Sequence, residues 1–372
     1  MTPLGLKPRT ARTLAGPVRF EREAFECPRC RRAAAPLDAA LGLLPGEKMT
    51  HALRRAVAWA GARDSYAGAS ADLEELLGVW VSPAECARVA AEEGQRLGCL
   101  QAQREQAYLA PVVEIGQRVP APEIACRRLV LEADATTVLT VPGEEHKAVW
   151  CAKAFGLEHR ARKDGSQRPV LSAARHTASG QDFEAFGPKV KALALRMGLR
   201  KAQAVAFIAD GAPPLWRWAE QNLPAGTVLI QDLWHVLEHL SGLAKDLWGQ
   251  DAPAAFERWK RLMVESRVEE VIAELEAEHT RRRGPPRQRL FDELRYLRSG
   301  QSRMDYARYE REGWPLGSGA IEGDCKHLIK ERFGRTGARW RRRNIDPMTA
   351  LRLSIANDEW DHDWTSELPI AA

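Results

Sequence analysis

The sequence contains no long apolar run. Apolar residues nowhere approach the roughly 18 in succession that a membrane-spanning helix needs, and the first residues, MTPLGLKPRTARTL, lack the apolar block of a secretory signal peptide. Cysteine is also scarce, because there are only seven and five of them stand singly. An odd number of scattered cysteines suits reduced thiols better than a disulfide framework. We therefore expect a cytoplasmic protein without a membrane partner.

Neither acidic nor basic residues dominate the chain. Charged residues make up 28% of the chain, and the net charge of +5 is modest for 372 residues, so the overall balance hardly favours a polyanionic partner. Hydrophobic residues reach 45%, which is enough to bury a sizeable core in two or three domains. Function must therefore be sought in local clusters of residues.

The first 110 residues predict a short strand followed by helices. A strand over VRFEREAFE precedes a CPRC turn, and we divide the region into a strand-and-knuckle segment, 1–46, and a helical domain, 47–110. Helices are expected near 48–62, over ADLEELLG and from Pro83, where Ser82 and Glu85 form a capping box. Three short helices with a tight glycine-containing link are typical of a helix-turn-helix DNA-binding domain, and equally of a plain helical bundle.

The region from Arg127 to about Gly249 has a different pattern. RRLVLEADATTVLTV, KAVWCAKAFG and RPVLSAARHT predict three consecutive strands, and the following residues predict helix, strand, helix, strand and helix. This is the order of elements in the RNase H-like fold, which retroviral integrases share. We expect an α/β protein whose core comprises 127–249 plus 317–358, although a fold alone does not determine a function.

The intervening segment, 250–316, reads as an all-helical insertion into that core. The stretch ERWKRLMVESRVEEVIAELEAEHT is amphipathic and acidic in its second half, whereas the stretch that follows it carries eight arginines between Arg281 and Arg303. Solvated helix faces with paired charges explain the acidic half better than the arginine-rich half.

Three acidic residues stand out in this arrangement. Asp134 lies in the middle of an apolar strand, Asp210 ends the strand AVAFIAD before Gly211, and Glu322 lies early in a helix that Gly317–Gly319 introduce. Each has an ordinary explanation alone, such as a turn or an interaction with the helix dipole. In an RNase H-like fold, however, the three positions converge. Converging carboxylates repel one another unless hard cations such as Mg²⁺ or Mn²⁺ lie between them, and two such ions support phosphodiester chemistry.

The sequence also resembles a known family at four motifs. They are DATTV at 134–138, DGAPPLW at 210–216, LIQDLWHVLEHL at 229–240 and GSGAIEGDCKHLIKERFGRTGARW at 317–340. With these motifs in this order, the chain resembles bacterial insertion-sequence transposases of the DDE class, most closely the ISKra type. The likeness extends from about Arg19 to Ile355.

The resemblance implies specific roles. Asp134, Asp210 and Glu322 would be the catalytic, metal-binding triad for two Mg²⁺ or Mn²⁺ ions, while Asp232 and His235 match a C/D-x-x-H signature and would shape or assist the site. The implied partners are double-stranded DNA, namely transposon terminal inverted repeats and target DNA, and further copies of the chain in an oligomer on that DNA. The implied reactions are strand cleavage and strand transfer, in a cytoplasmic, nucleoid-associated protein.

Two positions depart from the family pattern. Ala135 follows the first aspartate, where the family pattern has glycine, and Gly323 with Asp324 replaces a small Ser-Ala pair. Asp324 thus places a second carboxylate beside Glu322, either as a surface charge or as a further ligand.

A basic tract follows Glu322 directly. Next to a site for phosphodiester chemistry, its cations are predicted to bind phosphates. They are Lys326, Lys330, Arg332, Arg335, Arg339, Arg341, Arg342 and Arg343. Trp340 and Trp314 are candidates for stacking on unpaired bases, although burial is the more common position of tryptophan.

Three alternatives remain. His235 to His239 reads HVLEH, which fits the H-x-x-E-H pattern of a zinc metallopeptidase. A second alternative is that the chain is an inactive or domesticated relative of a transposase, which only binds DNA. Finally, Cys27 and Cys30 form half of a zinc knuckle, so zinc binding would need ligands from outside this chain, and without them the site is empty or vestigial.

Overall fold

A computed structural model describes residues 1–43, 46–110, 120–161 and 167–365. Within it the chain forms two compact units. The first unit comprises Met1–Arg104, Thr137–Lys147 and His327–Ala372, and the second comprises Glu105–Thr136 and Ala148–Lys326. The predicted division into four segments, with boundaries at 46, 110, 249 and 316, stays a prediction.

The first unit contains a small β-sheet and several helices. Its strands are β1 (Thr2–Thr13), β2 (Gly16–Glu26) and β3 (Ala33–Ala34). Its first helices are α1 (Pro36–Ala40), α2 (His51–Arg63), α3 (Tyr66–Leu77) and α4 (Pro83–Leu109), the last of which continues into the second unit.

The second unit contains the larger sheet and most of the remaining helices. Its strands are β4 (Arg128–Val138), β5 (Lys147–Ala161), β6 (Gln167–Ser179), β7 (Ala204–Ala209) and β8 (Val228–Gln231). Its helices are α5 (Phe183–Arg196), α6 (Pro213–Asn222), α7 (Leu233–Trp248), α8 (Ala252–Val264), α9 (Val268–Arg281), α10 (Pro285–Gly300), α11 (Tyr306–Arg311) and α12 (Gly319–Asp324). A π-helical segment, Cys325–Lys330, continues α12. The chain returns to the first unit at His327, within that segment, and continues with α13 (Glu331–Phe333), α14 (Ile345–Ala356) and α15 (Trp360–Thr365).

Local signals explain the start of the long helix α4. The Ser82 hydroxyl accepts the backbone N–H of Glu85 at 3.2 Å, and Pro83 occupies the first helical position, where its missing N–H costs nothing. The Ser82 half of the predicted capping box is therefore confirmed, whereas Glu85 Oε2 accepts from Arg12 Nη1 at 2.7 Å. The expected short length is wrong, because α4 runs for 27 residues, and strand β1, paired with β2 along its whole length, was not predicted.

The larger sheet follows the predicted order of elements. Three strands precede an alternation of helices and strands, and the five strands lie in the order β6-β5-β4-β7-β8. The pairs β4–β7 and β7–β8 are parallel, whereas β5–β6 is antiparallel. The expected α/β class is thus confirmed as a mixed five-stranded sheet with many helices.

Side chains alternate between the two faces of the sheet, and each face has its own core. Leu129 and Leu131 of β4 belong to a cluster that includes apolar residues of α5 and α6. Val130 belongs to the other cluster, with apolar residues of α7 to α11. The helical character predicted for 250–316 is confirmed. No helix among the described residues combines the length and apolar composition needed to cross a membrane.

Candidate carboxylate site

The parallel strands bring three predicted site residues to one edge of the sheet. Pairing of β4 with β7 ends at Glu132 opposite Ile208, and pairing of β7 with β8 ends at Ala209 opposite Gln231. Asp134, Asp210 and Asp232 follow these paired positions. Because parallel strands point the same way, their carboxyl ends, where ligands usually bind in open α/β sheets, lie together.

Asp134 is half-buried at this edge. Its Oδ1 accepts the N–H of Ala135 at 2.6 Å, and Cys325 Sγ lies 3.7 Å from its Oδ2. Burial raises the pKa of Asp134, and the negative charge of Asp210 raises it further. The Asp134 carboxylate therefore lies in a field that disfavours its charge, and a hard cation bound by oxygen ligands would relieve that repulsion.

Asp210 stands at a sharp turn after β7. Its Oδ1 accepts the N–H of Ala212 at 3.1 Å, and Gly211 adopts a φ of 117°, which side chains rarely tolerate. The hydroxyl of Tyr296 donates to the Asp210 carbonyl oxygen at 3.2 Å. The turn is thus held from α10, and the predicted strand-end position of Asp210 is confirmed.

Asp232 is fully engaged in hydrogen bonds. It is the N-cap of α7, and its Oδ1 accepts the N–H groups of Trp234 at 2.7 Å and His235 at 3.1 Å. Its Oδ2 accepts the N–H of Ser318 at 2.8 Å and the Ser318 hydroxyl. Asp232 is therefore a buried anchor that joins α7 to the segment entering α12, and its role in shaping the site stays a prediction.

Glu322 lies in the first turn of α12, as predicted, and is exposed to solvent. His235 is half-buried, and its positive form would favour the charged form of Asp134. Among the residues that the structure describes, no group of three or more His, Cys, Asp and Glu side chains stands close enough together to hold a metal ion. The structure therefore brings Asp134 and Asp210 together without gathering Glu322 into a ready-made ligand set.

Glu132 was not predicted as a site residue from the sequence. This side chain is only 1% exposed, and its Oε2 accepts the N–H of Ile321 in α12 at 2.8 Å. Burial, opposed in part by the Ile321 hydrogen bond, raises the pKa of Glu132 to about 8. A glutamate in the core stretch LVLEADATTV was visible in the sequence, but only the packing shows which helix it contacts.

Asp324 is buried rather than presented beside Glu322. Its Oδ1 lies 2.9 Å from Lys153 Nζ of β5, and its Oδ2 contacts the Nδ1 atom of His176 of β6. The Asp324 Oδ1 atom is therefore paired with a lysine ammonium group, and the Oδ2 atom with a histidine ring. Asp324 anchors the end of α12 to the sheet and is not free to act as a further metal ligand.

The H-x-x-E-H pattern also has a packing explanation. His239 Nδ1 lies 3.3 Å from the buried carboxylate of Glu293, and its ring stacks on Tyr296 with centroids 4.3 Å apart. Glu238 is exposed. His239 thus joins α7 to α10, and this arrangement gives no support to the zinc-peptidase alternative.

One cation of the basic tract is buried. Arg332 is 3% exposed, its guanidinium lies 4.7 Å from the ring centroids of both Tyr66 and Trp340, and its Nε donates to the Gly61 carbonyl oxygen. Arg332 is therefore corrected from a DNA-binding residue to a core residue of the first unit. The other predicted cations are exposed, namely Lys326, Lys330, Arg335, Arg339, Arg341, Arg342 and Arg343.

The two candidate tryptophans are also buried. Trp340 packs on Phe333 in the first unit, and Trp314 lies under the guanidinium of Arg128 in the second. Neither presents a face to an unpaired base. Trp234, beside Asp232, is instead 63% exposed and was not singled out by the sequence analysis.

Cys27 and Cys30 form the predicted knuckle-like turn. The Cys27 carbonyl oxygen accepts the N–H of Arg31, a residue with a φ of 58°, and the Cys27 N–H donates to the Arg32 carbonyl oxygen. Hydrogen bonds from the backbone of Cys30 and Arg29 lower the pKa of the Cys27 thiol. A lowered thiol pKa favours the metal-binding thiolate, but zinc binding here stays a prediction.

Comparison with known proteins gives no family assignment. No protein-family model matches the chain, and a search of curated proteins finds no significant match. A functional interpretation therefore rests on the geometry above and on the motif resemblance.

Proposed function

We propose that the chain is a DNA transposase of the DDE class with an RNase H-like catalytic core, which cleaves and transfers strands at insertion-sequence ends. The observation that carries the proposal is the placement of Asp134, two residues beyond the last β4 residue paired with β7, and of Asp210, directly after β7, where the negative charge of Asp210 disfavours that of Asp134. The position of Glu322 on a helix anchored to the same sheet by Asp232 adds support.

The cofactor in this proposal is a pair of Mg²⁺ or Mn²⁺ ions held by Asp134, Asp210 and Glu322. When bound, such ions activate a water or a 3′-hydroxyl and stabilise the leaving oxygen. The protein itself would fix Asp134 through its hydrogen bond from Ala135 and fix Asp210 through the turn at Gly211. Because Glu322 is exposed, α12 would present its carboxylate to the ions.

The exposed cations of the tract would bind the DNA backbone, and further copies of the chain would pair two transposon ends. Lys330, Arg339 and Arg341 are examples of these exposed cations. Phosphate contacts release counterions, so DNA affinity should fall steeply with salt. We also propose that α2 to α4 act as a helix-turn-helix that binds DNA. The substrate would be the terminal inverted repeats, and the protein would be located at the nucleoid.

Strand cleavage on labelled end DNA tests the proposal. The unmodified protein should nick or cut this DNA with Mg²⁺, and E322Q should bind it equally well without cutting, because a neutral amide is a poorer Mg²⁺ ligand. E310Q is the matched control, since Glu310 is an exposed glutamate of the neighbouring helix α11. Unchanged cleavage by E322Q would overturn the assignment of Glu322.

A second candidate is a relative that binds DNA without cutting it. The observation in its favour is that Asp324, at a position where the family has a small residue, is turned into the sheet by Lys153 and His176. The same assay separates the candidates, because a binding protein would shift end DNA in a gel without nicking it at any Mg²⁺ or Mn²⁺ concentration.

A further inference from the structure

The first turn of α12 has an unusual cap. In most helices a Ser at the N-cap position accepts an N–H from the second or third helical residue with its own hydroxyl. Ser318 occupies that position here but makes no such bond. Its hydroxyl donates instead to Asp232. The orphan N–H groups of α12 must therefore be satisfied from elsewhere.

Glu132 supplies a side-chain acceptor from a different element. Its Oε2 lies 2.8 Å from the N–H of Ile321, which is the third residue of α12 and the one that a serine cap would have served. The Ile321 N–H also reaches the Ser318 carbonyl oxygen at 3.0 Å. Both Glu132 and Ile321 are buried, so water cannot replace the carboxyl group as acceptor.

This contact links two of the proposed metal ligands. Glu132 lies two residues before Asp134 on β4, on the same face of the strand, because side chains alternate along a strand. Ile321 immediately precedes Glu322. A shift of α12 against β4 would therefore change the separation of Asp134 and Glu322, and the Glu132 hydrogen bond opposes that shift.

We propose that Glu132 is a positioning residue that caps α12 from β4 and so sets the position of Glu322 relative to Asp134. This inference rests on the proposed function for its catalytic meaning, but the capping contact can be tested without it. Either protonation state leaves an oxygen that accepts the Ile321 N–H, so glutamine should replace glutamate at this position and an apolar side chain should not.

Hydrogen–deuterium exchange of the full-length protein tests the contact directly. E132M keeps the length and apolar packing of the side chain but removes the acceptor, so deuterium uptake should rise in the peptide spanning Ser318 to Cys325. E132Q should retain the low uptake of the unmodified protein. E123L, which removes the partner of Arg196 elsewhere in the second unit, controls for general destabilisation and should leave this peptide unchanged.

Strand cleavage then tests the catalytic meaning. E132M should bind end DNA with unchanged affinity and cleave it more slowly, on the order of 10²-fold, because small misplacements of reacting groups are costly. E132Q should cleave at the normal rate.

Equal uptake in all variants, or high uptake in E132Q, would overturn the capping role. If E132M does not fold, E132L, which also removes the acceptor, takes its place, and high uptake in E132Q overturns the role by itself. If the unmodified protein never cleaves DNA, the proposed function fails while the exchange data still decide the cap.

Discussion

Lys153 Nζ lies 2.9 Å from Asp324 Oδ1, and both side chains are mostly buried. His176 contacts the other oxygen of the same carboxylate. Two strands, β5 and β6, thus hold the last residue of α12, while Glu132 and Asp232 hold its start. Buried carboxyl groups therefore fix both ends of the short helix that carries Glu322. Glu132 and Asp232 hold its start, and its own Asp324 holds its end.

Asp324 and Glu322 should therefore respond differently to loss of charge. D324N would leave the mostly buried Lys153 without a carboxylate partner, and such losses cost about 3–5 kcal/mol of unfolding free energy. E322Q alters an exposed side chain and should change stability by about 0.5 kcal/mol at most. Urea unfolding of both variants measures the difference. Equal stabilities would show that Asp324 is not an anchor.

The two glycines around Ser318 offer a second comparison. A Cβ at Gly317 would lie 2.3 Å from Cδ1 of Trp234, whereas a Cβ at Gly319 would meet no atom within 4 Å. We expect G317A to lose about 1–3 kcal/mol through overpacking, and G319A to lose nothing or to gain up to about 1 kcal/mol by removing a flexible residue. Thermal unfolding of the pair checks this, and a stable G317A would mean that Trp234 moves freely.

Repulsion between Asp134 and Asp210 gives a third prediction. Without divalent metal, D210N should be slightly more stable than the unmodified protein, by about 1 kcal/mol or less, because it removes a like charge near Asp134. Added Mg²⁺ should raise the melting temperature of the unmodified protein, since a ligand that binds only the folded state stabilises it. D210N should lose that increase. A Mg²⁺-dependent rise in D210N equal to that of the unmodified protein would contradict the assigned ligand.

The sequence was informative where local patterns determine structure. Apolar stretches predicted the strands of the larger sheet, and Ser82 with Pro83 predicted the start of α4. Asp210 was expected at a strand end because AVAFIAD stops at Gly211, and β7 does end at Ala209. These signals act over a few residues, so the chain itself displays them.

Long-range contacts were the part that the sequence could not provide. Glu132 and Ile321 are 189 positions apart, and no local pattern connects them. Arg332 belongs to a run of cations that reads as a surface, yet two aromatic rings enclose it. Strand β1 was missed because most of its residues are exposed, which leaves little apolar alternation to detect.

The burial of Arg332 leads to the last prediction, which separates packing from DNA binding within one basic tract. R332A removes a buried guanidinium that lies against Tyr66 and Trp340 and donates to Gly61, so it should destabilise the protein by about 2–4 kcal/mol. R339A removes an exposed cation and should leave unfolding unchanged.

DNA affinity should show the reverse order when it is measured over a range of salt concentrations. If Arg339 contacts a phosphate, R339A should weaken binding and reduce the slope of log affinity against log salt by about 0.9. R332A, measured at a temperature where it remains folded, should keep the slope of the unmodified protein, because a guanidinium enclosed by aromatic rings releases no counterions from DNA. A reduced slope in R332A would show that Arg332 leaves its aromatic neighbours when DNA binds.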